Sequence, residues 1–173
     1  MPDIMPLHPE DAARWLPQLI GLLQDAVDSG ASVGFLAPLS NDQAQQYWMK
    51  VFTQVGERTR IVLAAVHNAA IVGSVQLDLA SMPNASHRAE VQKLLVLRPW
   101  RRQGAGQVLM TAIEQAARKA GRQLLVLDTR LGDAAERLYA RMGYRRVGVI
   151  PKFALNSAGS LDTTVIFYRD LST

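Results

Sequence analysis

The sequence predicts a single-domain α/β (α+β) fold: a mixed, mostly antiparallel sheet of six or seven strands flanked by about four helices. The 173 residues, 1–173, are enough for one well-buried core and too few for two ordinary domains. Apolar segments separated by short turns indicate an antiparallel meander in the first half. A strand, helix, strand succession in the second half indicates a right-handed crossover, so one pair of strands is expected to be parallel.

The first elements follow from hydrophobic periodicity and from helix-capping residues. Residues 3–8 form a short predicted strand, and Pro9 opens a helix whose apolar positions recur at helical spacing until Ser29-Gly30. Residues 31–39 are an apolar loop, in which Val33 and Phe35 either pack against the core or line a pocket.

A second helix is predicted to begin at Ser40, because Ser40 and Gln43 have the spacing of a capping box, and to continue to about Gly56. Three strands follow in the prediction, and the first two are joined by a short turn at residues 67–70. These strands are residues 60–66, 71–79 and 87–97.

The second half alternates between helices and strands. Gly121 and Gly143 stand where a left-handed residue ends a helix. The predicted elements are helix 103–120, strand 124–130, helix 133–142, strand 145–150 and strand 164–171.

Composition narrows the class of protein. Hydrophobic residues make up 49% and charged residues 20% of the chain, as in soluble globular proteins. A run of 18 apolar residues is absent and residues 1–11 lack the features of a signal peptide, so we expect a cytoplasmic protein without a membrane span. The sequence contains no cysteine and three scattered histidines, which argues against disulfides, a cysteine nucleophile and a metal site.

Charge is unevenly distributed along the chain. Residues 93–152 contain 13 of the 19 basic residues but only four of the 15 acidic ones. This asymmetry indicates an anionic partner, either nucleic acid or a phosphorylated small molecule. Aromatic residues are not interleaved with the arginines as they are on a base-stacking surface, so nucleic acid is the less favoured partner.

A glycine-rich turn follows the strand at 87–97. Gly104-Ala105-Gly106 opens a helix, and exposed backbone N–H groups at such a helix start bind phosphate. A nucleoside-triphosphate P-loop is excluded, because Gln107 stands where its lysine is required. A dinucleotide-binding loop fits poorly, because Leu109 replaces the third glycine, although Asp128 lies about where a ribose-binding acid is expected.

The motif Arg101-x-x-Gly104-x-Gly106 resembles the acetyl-CoA loop of the GCN5-related N-acetyltransferase (GNAT) superfamily. The later segment AAERLYARMGYRRVG, residues 134–148, looks like the final helix of that family with its Leu-Tyr and Gly-Tyr signatures. More narrowly, GASVGF and RAEVQKLLVL are similar to segments of the tabtoxin-resistance acetyltransferases.

The resemblance implies acetyl-CoA as cosubstrate and no metal. In such a fold the parallel strands 88–97 and 123–129 splay apart to admit the pantetheine arm, while backbone N–H groups of the loop hold the pyrophosphate among Arg98 and its neighbours. A backbone N–H near Leu95 polarises the thioester carbonyl. The implied cofactor-binding residues are Leu95, Val96, Leu97, Arg101, Arg102, Gln103, Gly104, Ala105, Gly106 and Gln107.

The resemblance also implies catalytic residues. Tyr139 aligns with the tyrosine that protonates the leaving thiolate, and Tyr144 is expected to pack on the following strand. Two carboxylates are candidates for the base, Asp128 at the end of a parallel strand and Glu90 before the loop, and either of them could instead bind the ammonium group of the acceptor. His87 is a weaker candidate.

The implied activity is that of an acyltransferase, an N-acetyltransferase that acetylates a primary amine of a small molecule such as a tabtoxinine-type β-lactam toxin or an antibiotic. A protein or peptide amine, and a non-catalytic CoA-binding regulatory domain, are the alternatives. By analogy with the superfamily we expect a homodimer, and we expect an acceptor pocket walled by residues 30–37 and the first two helices, with Val33, Phe35 and Asp128 contacting the acceptor.

Overall fold

A computed structural model describes residues 1–172 and contains one seven-stranded mixed sheet. The strands are β1 (Asp3–Pro6), β2 (Arg60–His67), β3 (Ala70–Leu79), β4 (Arg88–Val96), β5 (Leu124–Arg130), β6 (Arg145–Leu155) and β7 (Leu161–Asp170). Their order across the sheet is β1-β2-β3-β4-β5-β7-β6, and only β4 and β5 are parallel. The predicted fold class is confirmed.

Four α-helices cover the two faces of this sheet. They are α1 (Ala12–Asp28), α2 (Asn41–Gly56), α3 (Ala105–Lys119) and α4 (Ala134–Arg141), with short 3-10 turns at Pro9–Asp11, Pro83–Ala85 and Arg98–Trp100. None of the helices in residues 1–172 combines the length and the hydrophobicity needed to cross a membrane.

Alternation of side chains along the strands divides the interior into two cores. On β2, Val62 and Ala64 belong to the core under α1 and α2, whereas Leu63 and Ala65 belong to the core under α3. The molecule is therefore a three-layer sandwich, and a cleft that crosses the sheet can reach both faces.

The parallel strands β4 and β5 pair only at their beginnings. Their register consists of Arg88 with Leu124, Ala89 with Leu125 and Glu90 with Val126, after which the strands diverge. Just beyond the last pair, β4 has a β-bulge: Gln92 faces Gln76 and Leu95 faces Ser74, so Lys93 and Leu94 oppose a single residue of β3. Lys93 has a φ of +50°, and the bulge turns β4 away from β5.

Several predicted boundaries hold because local signals decide them. Ser40 and Gln43 form the expected capping box at the start of α2, and Gly104 adopts a φ of +88° immediately before α3. The last hairpin differs, since β6 runs to Leu155 and β7 starts at Leu161, beyond the predicted 145–150 and 164–171. The predicted strand ends before Pro151, because proline has no N–H donor for the sheet. β6 is an edge strand, however, and at an edge the position without a donor can face solvent.

Candidate active site

A cleft occupies the gap between the diverging ends of β4 and β5. It consists of two cavities of about 550 Å³ and 460 Å³, which lie on either side of the gap and are called here the acceptor cavity and the loop cavity. Five residues line both of them, so the two cavities form one continuous passage through the sheet. These residues are Ala31, Leu94, Arg101, Ala134 and Ala135.

The loop cavity ends at the amino terminus of α3, where Gly104, Gly106 and Gln107 line it. The first hydrogen bond of the helix joins the Val108 N–H to the Gly104 carbonyl at 3.1 Å, so the N–H groups of the preceding turn lack a partner within the helix. A Cβ at Gly106 would lie 3.4 Å from Leu138 Cδ2, which shows how closely α4 approaches this turn. Bare N–H groups at the positive end of a helix dipole suit a phosphate group.

The arginines near this turn divide into two groups. Arg98 donates to Asp25 of α1 through Nε at 2.6 Å, and Arg101 donates through Nε to the Val96 carbonyl at 2.9 Å and through Nη2 to Ser29 Oγ at 2.8 Å. These two side chains therefore fasten the loop to the end of α1. Arg102 and, from α4, Arg141 line the loop cavity and supply positive charge there.

The side of the passage formed by β4 consists of Leu94, Leu95 and Val96. Leu97 lies outside both cavities, and its N–H donates to the Val72 carbonyl of β3 at 3.0 Å. N–H directions alternate along a regular strand, so the Leu95 N–H also points towards β3, whereas the Val96 N–H points towards the gap.

The remaining predicted loop residues contribute less to the cavity surface. Gln103 is exposed and its side-chain amide donates to the Pro99 carbonyl at 2.5 Å. Ala105 is buried beneath the start of α3. Neither side chain lines the loop cavity, so any contact of these residues with a ligand would come from their backbone atoms.

The three predicted catalytic side chains, Glu90, Asp128 and Tyr139, all line the acceptor cavity. Tyr139 is only 5% exposed and packs beside Tyr144 and Phe167, with ring centroids 5.7 Å and 6.1 Å away. Burial, reinforced by the negative charges of Asp128 and Asp133, holds the pKa of the Tyr139 phenol well above its usual range. Tyr139 is consequently a neutral hydrogen-bond donor at neutral pH.

The two carboxylates have different neighbours. Asp128 Oδ2 accepts a 2.6 Å hydrogen bond from Thr164 Oγ1 on β7. Glu90 Oε1 accepts a 3.0 Å bond from the Gln92 side-chain amide, and Gln92 Oε1 in turn accepts from Arg60 Nη1 at 3.2 Å. A polar relay thus runs from Arg60 on β2 across the sheet to Glu90, whereas Asp128 is fixed locally by β7.

The loop at residues 30–37, which was expected to wall the acceptor pocket, contributes residues 31–34 to the lining of the acceptor cavity. Val33 lines the acceptor cavity, while Phe35 lines an adjoining cavity of about 230 Å³ and packs edge-on against Tyr47 at 5.3 Å between centroids. The wall expected from the first two helices is a different element: Phe153 and Ala154 of β6 line the acceptor cavity, and among residues 1–172 no residue of α2 does so.

Two functional candidates escaped the sequence reasoning. Arg141 follows Arg137 by four residues, about one helical turn. This spacing places both arginines on one face of α4 and could have predicted a basic stripe there. Lys93 lines the acceptor cavity because of the bulge in β4, and the apolar run of that strand gives no sign of a bulge. Residues 1–172 contain no group of three or more His, Asp or Glu side chains that could hold a metal ion.

Comparison with known proteins places this geometry in a family. Residues 22–144 match the acetyltransferase (GNAT) family. The chain is 36% identical over 84 residues to the aminoalkylphosphonate N-acetyltransferase of Salmonella typhimurium, a match that covers 47% of this chain and 54% of that protein. The chain therefore spans about half the length of this curated relative.

Solved structures share the fold at low sequence identity. The ribosomal-protein-alanine N-acetyltransferase of Brucella melitensis superposes with a TM-score of 0.80 at 19% identity, with 98% of this chain and 99% of that chain covered. The Salmonella typhimurium acetyltransferase yncA, solved with its cofactor acetyl-CoA, superposes with a TM-score of 0.81 at 16% identity, with 100% and 95% covered. At such identities the likeness shows the fold alone.

Proposed function

Because the chain belongs to the GNAT family of acetyltransferases, we propose that it transfers an acetyl group from acetyl-CoA directly to a primary amine of a small molecule. One observation carries this proposal. A phosphate-binding turn opens at one end of a continuous cleft, and a buried tyrosine with two carboxylates lines the other end. A cleft that only stored CoA would need the turn but not the three titratable groups.

The residues around the loop cavity fit the shape and charge of acetyl-CoA. N–H groups at the start of α3, with Arg102 and Arg141, would hold the pyrophosphate. Leu94, Val96 and Leu138 would enclose the pantetheine arm. When bound, acetyl-CoA supplies a thioester that is open to attack by an amine. The N–H group of Val96 is the donor we assign to the thioester carbonyl, because it points into the gap.

Tyr139 is the proposed proton donor to the sulfur atom. A phenol with a pKa near ~10 is a weaker acid than a thiol with a pKa near ~8.5, so the transfer is uphill in water by about 2 kcal/mol. Burial weakens Tyr139 further as an acid, but the same burial raises the proton affinity of a thiolate in the cleft. Positioning inside the cleft therefore compensates for the low acidity of the phenol.

We assign Glu90 as the base and Asp128 as the group that binds the acceptor ammonium. Asp128 and Glu90 each have one hydrogen-bonded oxygen. The partner of Asp128 is the short hydroxyl side chain of Thr164 on β7, which suits a binding group, whereas the partner of Glu90 is the longer side-chain amide of Gln92. Glu90→Gln is expected to lower kcat by about 10²-fold or more, with a smaller change in KM for the acceptor.

Asp128→Asn is the matched variant for this assignment, and it is expected to raise KM for the acceptor with a smaller change in kcat. Steady-state kinetics with varied acceptor concentration would distinguish the two variants, because one is expected to change mainly kcat and the other mainly KM. The assignment is reversed if Asp128→Asn lowers kcat while Glu90→Gln mainly raises KM.

The loop beside the acceptor cavity is fastened to neighbouring elements, which favours a small acceptor over a protein chain. The Ala37 N–H donates to Ser157 Oγ at 2.9 Å, and Arg130 Nη1 donates to the Gly30 carbonyl at 3.0 Å, so the 31–37 loop is tied to the β6–β7 hairpin and to β5. A peptide would need an open groove at this place. The Salmonella relative acts, by its name, on aminoalkylphosphonates, which are small amines, whereas the Brucella protein acts on a ribosomal protein.

An acceptor screen tests the proposed function. Free thiol released from acetyl-CoA would be measured with amino acids, aminoalkylphosphonates, β-lactam dipeptides such as tabtoxinine-type compounds, aminoglycosides and peptides with free amino termini. We expect turnover with one of the small-amine classes. Turnover with peptides alone would mean that the acceptor is a protein or peptide amine. Thiol release that no amine accelerates would refute the proposed acetyl transfer.

We also propose that the chain forms a homodimer through the edge strand β6. This strand exposes a row of apolar side chains, which is unusual for an edge that faces only water. The row consists of Val147, Val149, Ile150, Phe153 and Leu155. We expect Val147→Asp combined with Val149→Asp to give a monomer in sedimentation velocity, and Met49→Asp, on the exposed face of α2, to leave the dimer intact. A monomeric wild type would contradict this proposal.

A further inference from the structure

Lys93 is a cation in the acceptor cavity that the proposed chemistry does not use. The bulge in β4 and the positive φ of Lys93 direct this residue out of the regular strand pattern. Its ammonium lies 6.0 Å from the centre of the Tyr47 ring, and a Cβ at Gly34 would lie 3.7 Å from Nζ. Lys93 therefore reaches across to the 31–37 loop.

The other cations of the acceptor cavity are already engaged. Arg130 pairs with Asp133 at 2.8 Å and with Asp162 at 3.5 Å, and Arg101 is fastened to Ser29 and the Val96 carbonyl. Lys93 forms none of the ion pairs found in residues 1–172. It is thus the cavity cation that is available to a ligand.

The surroundings of Lys93 favour an anion. Burial, followed by the positive charge of Arg60, lowers the pKa of the Lys93 ammonium, and the negative charges of Asp128 and Glu90 offset this only in part. A partly desolvated ammonium without an ion-pair partner is costly, and an anionic group delivered by a ligand would relieve that cost. The ring of Tyr47, whose hydroxyl donates to Gln76 at 3.1 Å, faces the Lys93 ammonium from outside the acceptor cavity.

We infer that Lys93 forms an anion subsite, so that the acceptor is a zwitterionic small molecule whose carboxylate, phosphonate or phosphate group binds Lys93 while its ammonium binds Asp128. This inference rests on the proposed acetyl transfer and specifies its acceptor. Within residues 1–172, the lining of the cavity then offers a ligand of both charges one cation outside any ion pair, Lys93, and two carboxylates outside any ion pair, Glu90 and Asp128. Its volume of about 550 Å³ accommodates a small molecule of this kind.

Kinetics with three amines of similar length would test the subsite: β-alanine, 2-aminoethylphosphonate and n-propylamine. For the wild type we expect kcat/KM to be at least about 10-fold higher for an anionic amine than for propylamine, as a buried charge pair provides. Lys93→Met should raise KM for the anionic amines about 10-fold or more and leave that for propylamine unchanged. The two anionic amines distinguish a carboxylate subsite from a phosphonate subsite.

Matched variants separate this effect from a general disturbance. Lys93→Arg should restore part of the preference, and Lys50→Met, on the exposed face of α2, should leave all three amines unaffected. A second readout does not depend on turnover: with CoA saturating the loop, methylphosphonate should raise the Tm of the wild type but not of Lys93→Met.

Equal changes for charged and neutral amines in Lys93→Met would overturn the anion subsite while the acetyltransferase assignment stands. The same conclusion follows if the wild type prefers propylamine, or if intact-mass measurements show Lys93 itself acetylated by acetyl-CoA. Failure of every amine to release thiol would refute the proposed function, and the subsite inference would fall with it.

Discussion

Tyr139→Phe is expected to lower kcat by about 10²- to 10⁴-fold, the usual contribution of a positioned general acid, while the Kd of acetyl-CoA changes by less than about 2-fold. The substitution removes one hydroxyl from a side chain that is 5% exposed and whose ring packs between Tyr144 and Phe167. The ring contacts remain in phenylalanine, so the fold and the cleft are expected to persist. Thiol release would be followed with saturating acceptor, and acetyl-CoA binding by calorimetry.

The pH dependence provides a further check on Tyr139. Its phenol has a raised pKa because the ring is buried and because Asp128 and Asp133 disfavour a second negative charge nearby. A group whose folded pKa is raised keeps its proton up to higher pH than the free phenol, whose pKa is near ~10. The activity of the wild type should therefore show no alkaline decline caused by Tyr139 at neutral or mildly alkaline pH.

Tyr144→Phe is the matched control for this prediction. Tyr144 is 4% exposed and adjoins the Tyr139 ring, but it lines neither cavity. Its substitution should change kcat by less than about 3-fold, as expected for a residue that does not touch the reacting atoms. If Tyr139→Phe retained the full rate with the natural acceptor, or if Tyr144→Phe lost as much activity, the proton donor would have to be another group.

Local signals made most of the fold predictable. Capping at Ser40, the glycines that follow α3 and α4, and the turn between β2 and β3 are each decided by neighbouring residues. The Gly104-Ala105-Gly106 turn is also a local feature, because a left-handed residue followed by a helix start depends on a few adjacent residues. These are the parts on which the family resemblance also rested.

The features that escaped prediction depend on residues far apart in sequence. Lys93 enters the cavity because β4 bulges against β3, and a strand sequence does not encode its register with a partner strand. Arg98 was expected beside the pyrophosphate, but it donates to Asp25, 73 residues away. Likewise, Phe153 lies in the acceptor wall only because β6 continues past Pro151, where the prediction from sequence ends the strand. In each case distant pairing, rather than local propensity, positions the side chain.

Gly106→Val is expected to weaken acetyl-CoA binding about 5- to 100-fold, corresponding to the ~1–3 kcal/mol that overpacking typically costs. A Cβ at this position would lie 3.4 Å from Leu138 Cδ2 and 3.9 Å from Leu94 Cδ2, so the branched side chain of valine would occupy the loop cavity. The substitution would also cover the N–H groups proposed to bind the pyrophosphate. Calorimetric titration with CoA would measure the loss.

Gly21→Val separates this effect from the general consequences of placing valine in a helix. Gly21 lies in α1 and has nothing within 4 Å of a Cβ, so valine there adds a side chain in open space. We expect unchanged CoA affinity and a Tm close to that of the wild type for Gly21→Val. CoA titrations of Gly106→Val would be carried out well below its Tm, because overpacking against Leu138 also destabilises the fold. Undiminished CoA binding by Gly106→Val would mean that the pyrophosphate does not approach the start of α3. The other cations of the loop cavity, Arg102 and Arg141, would then have to carry the anion.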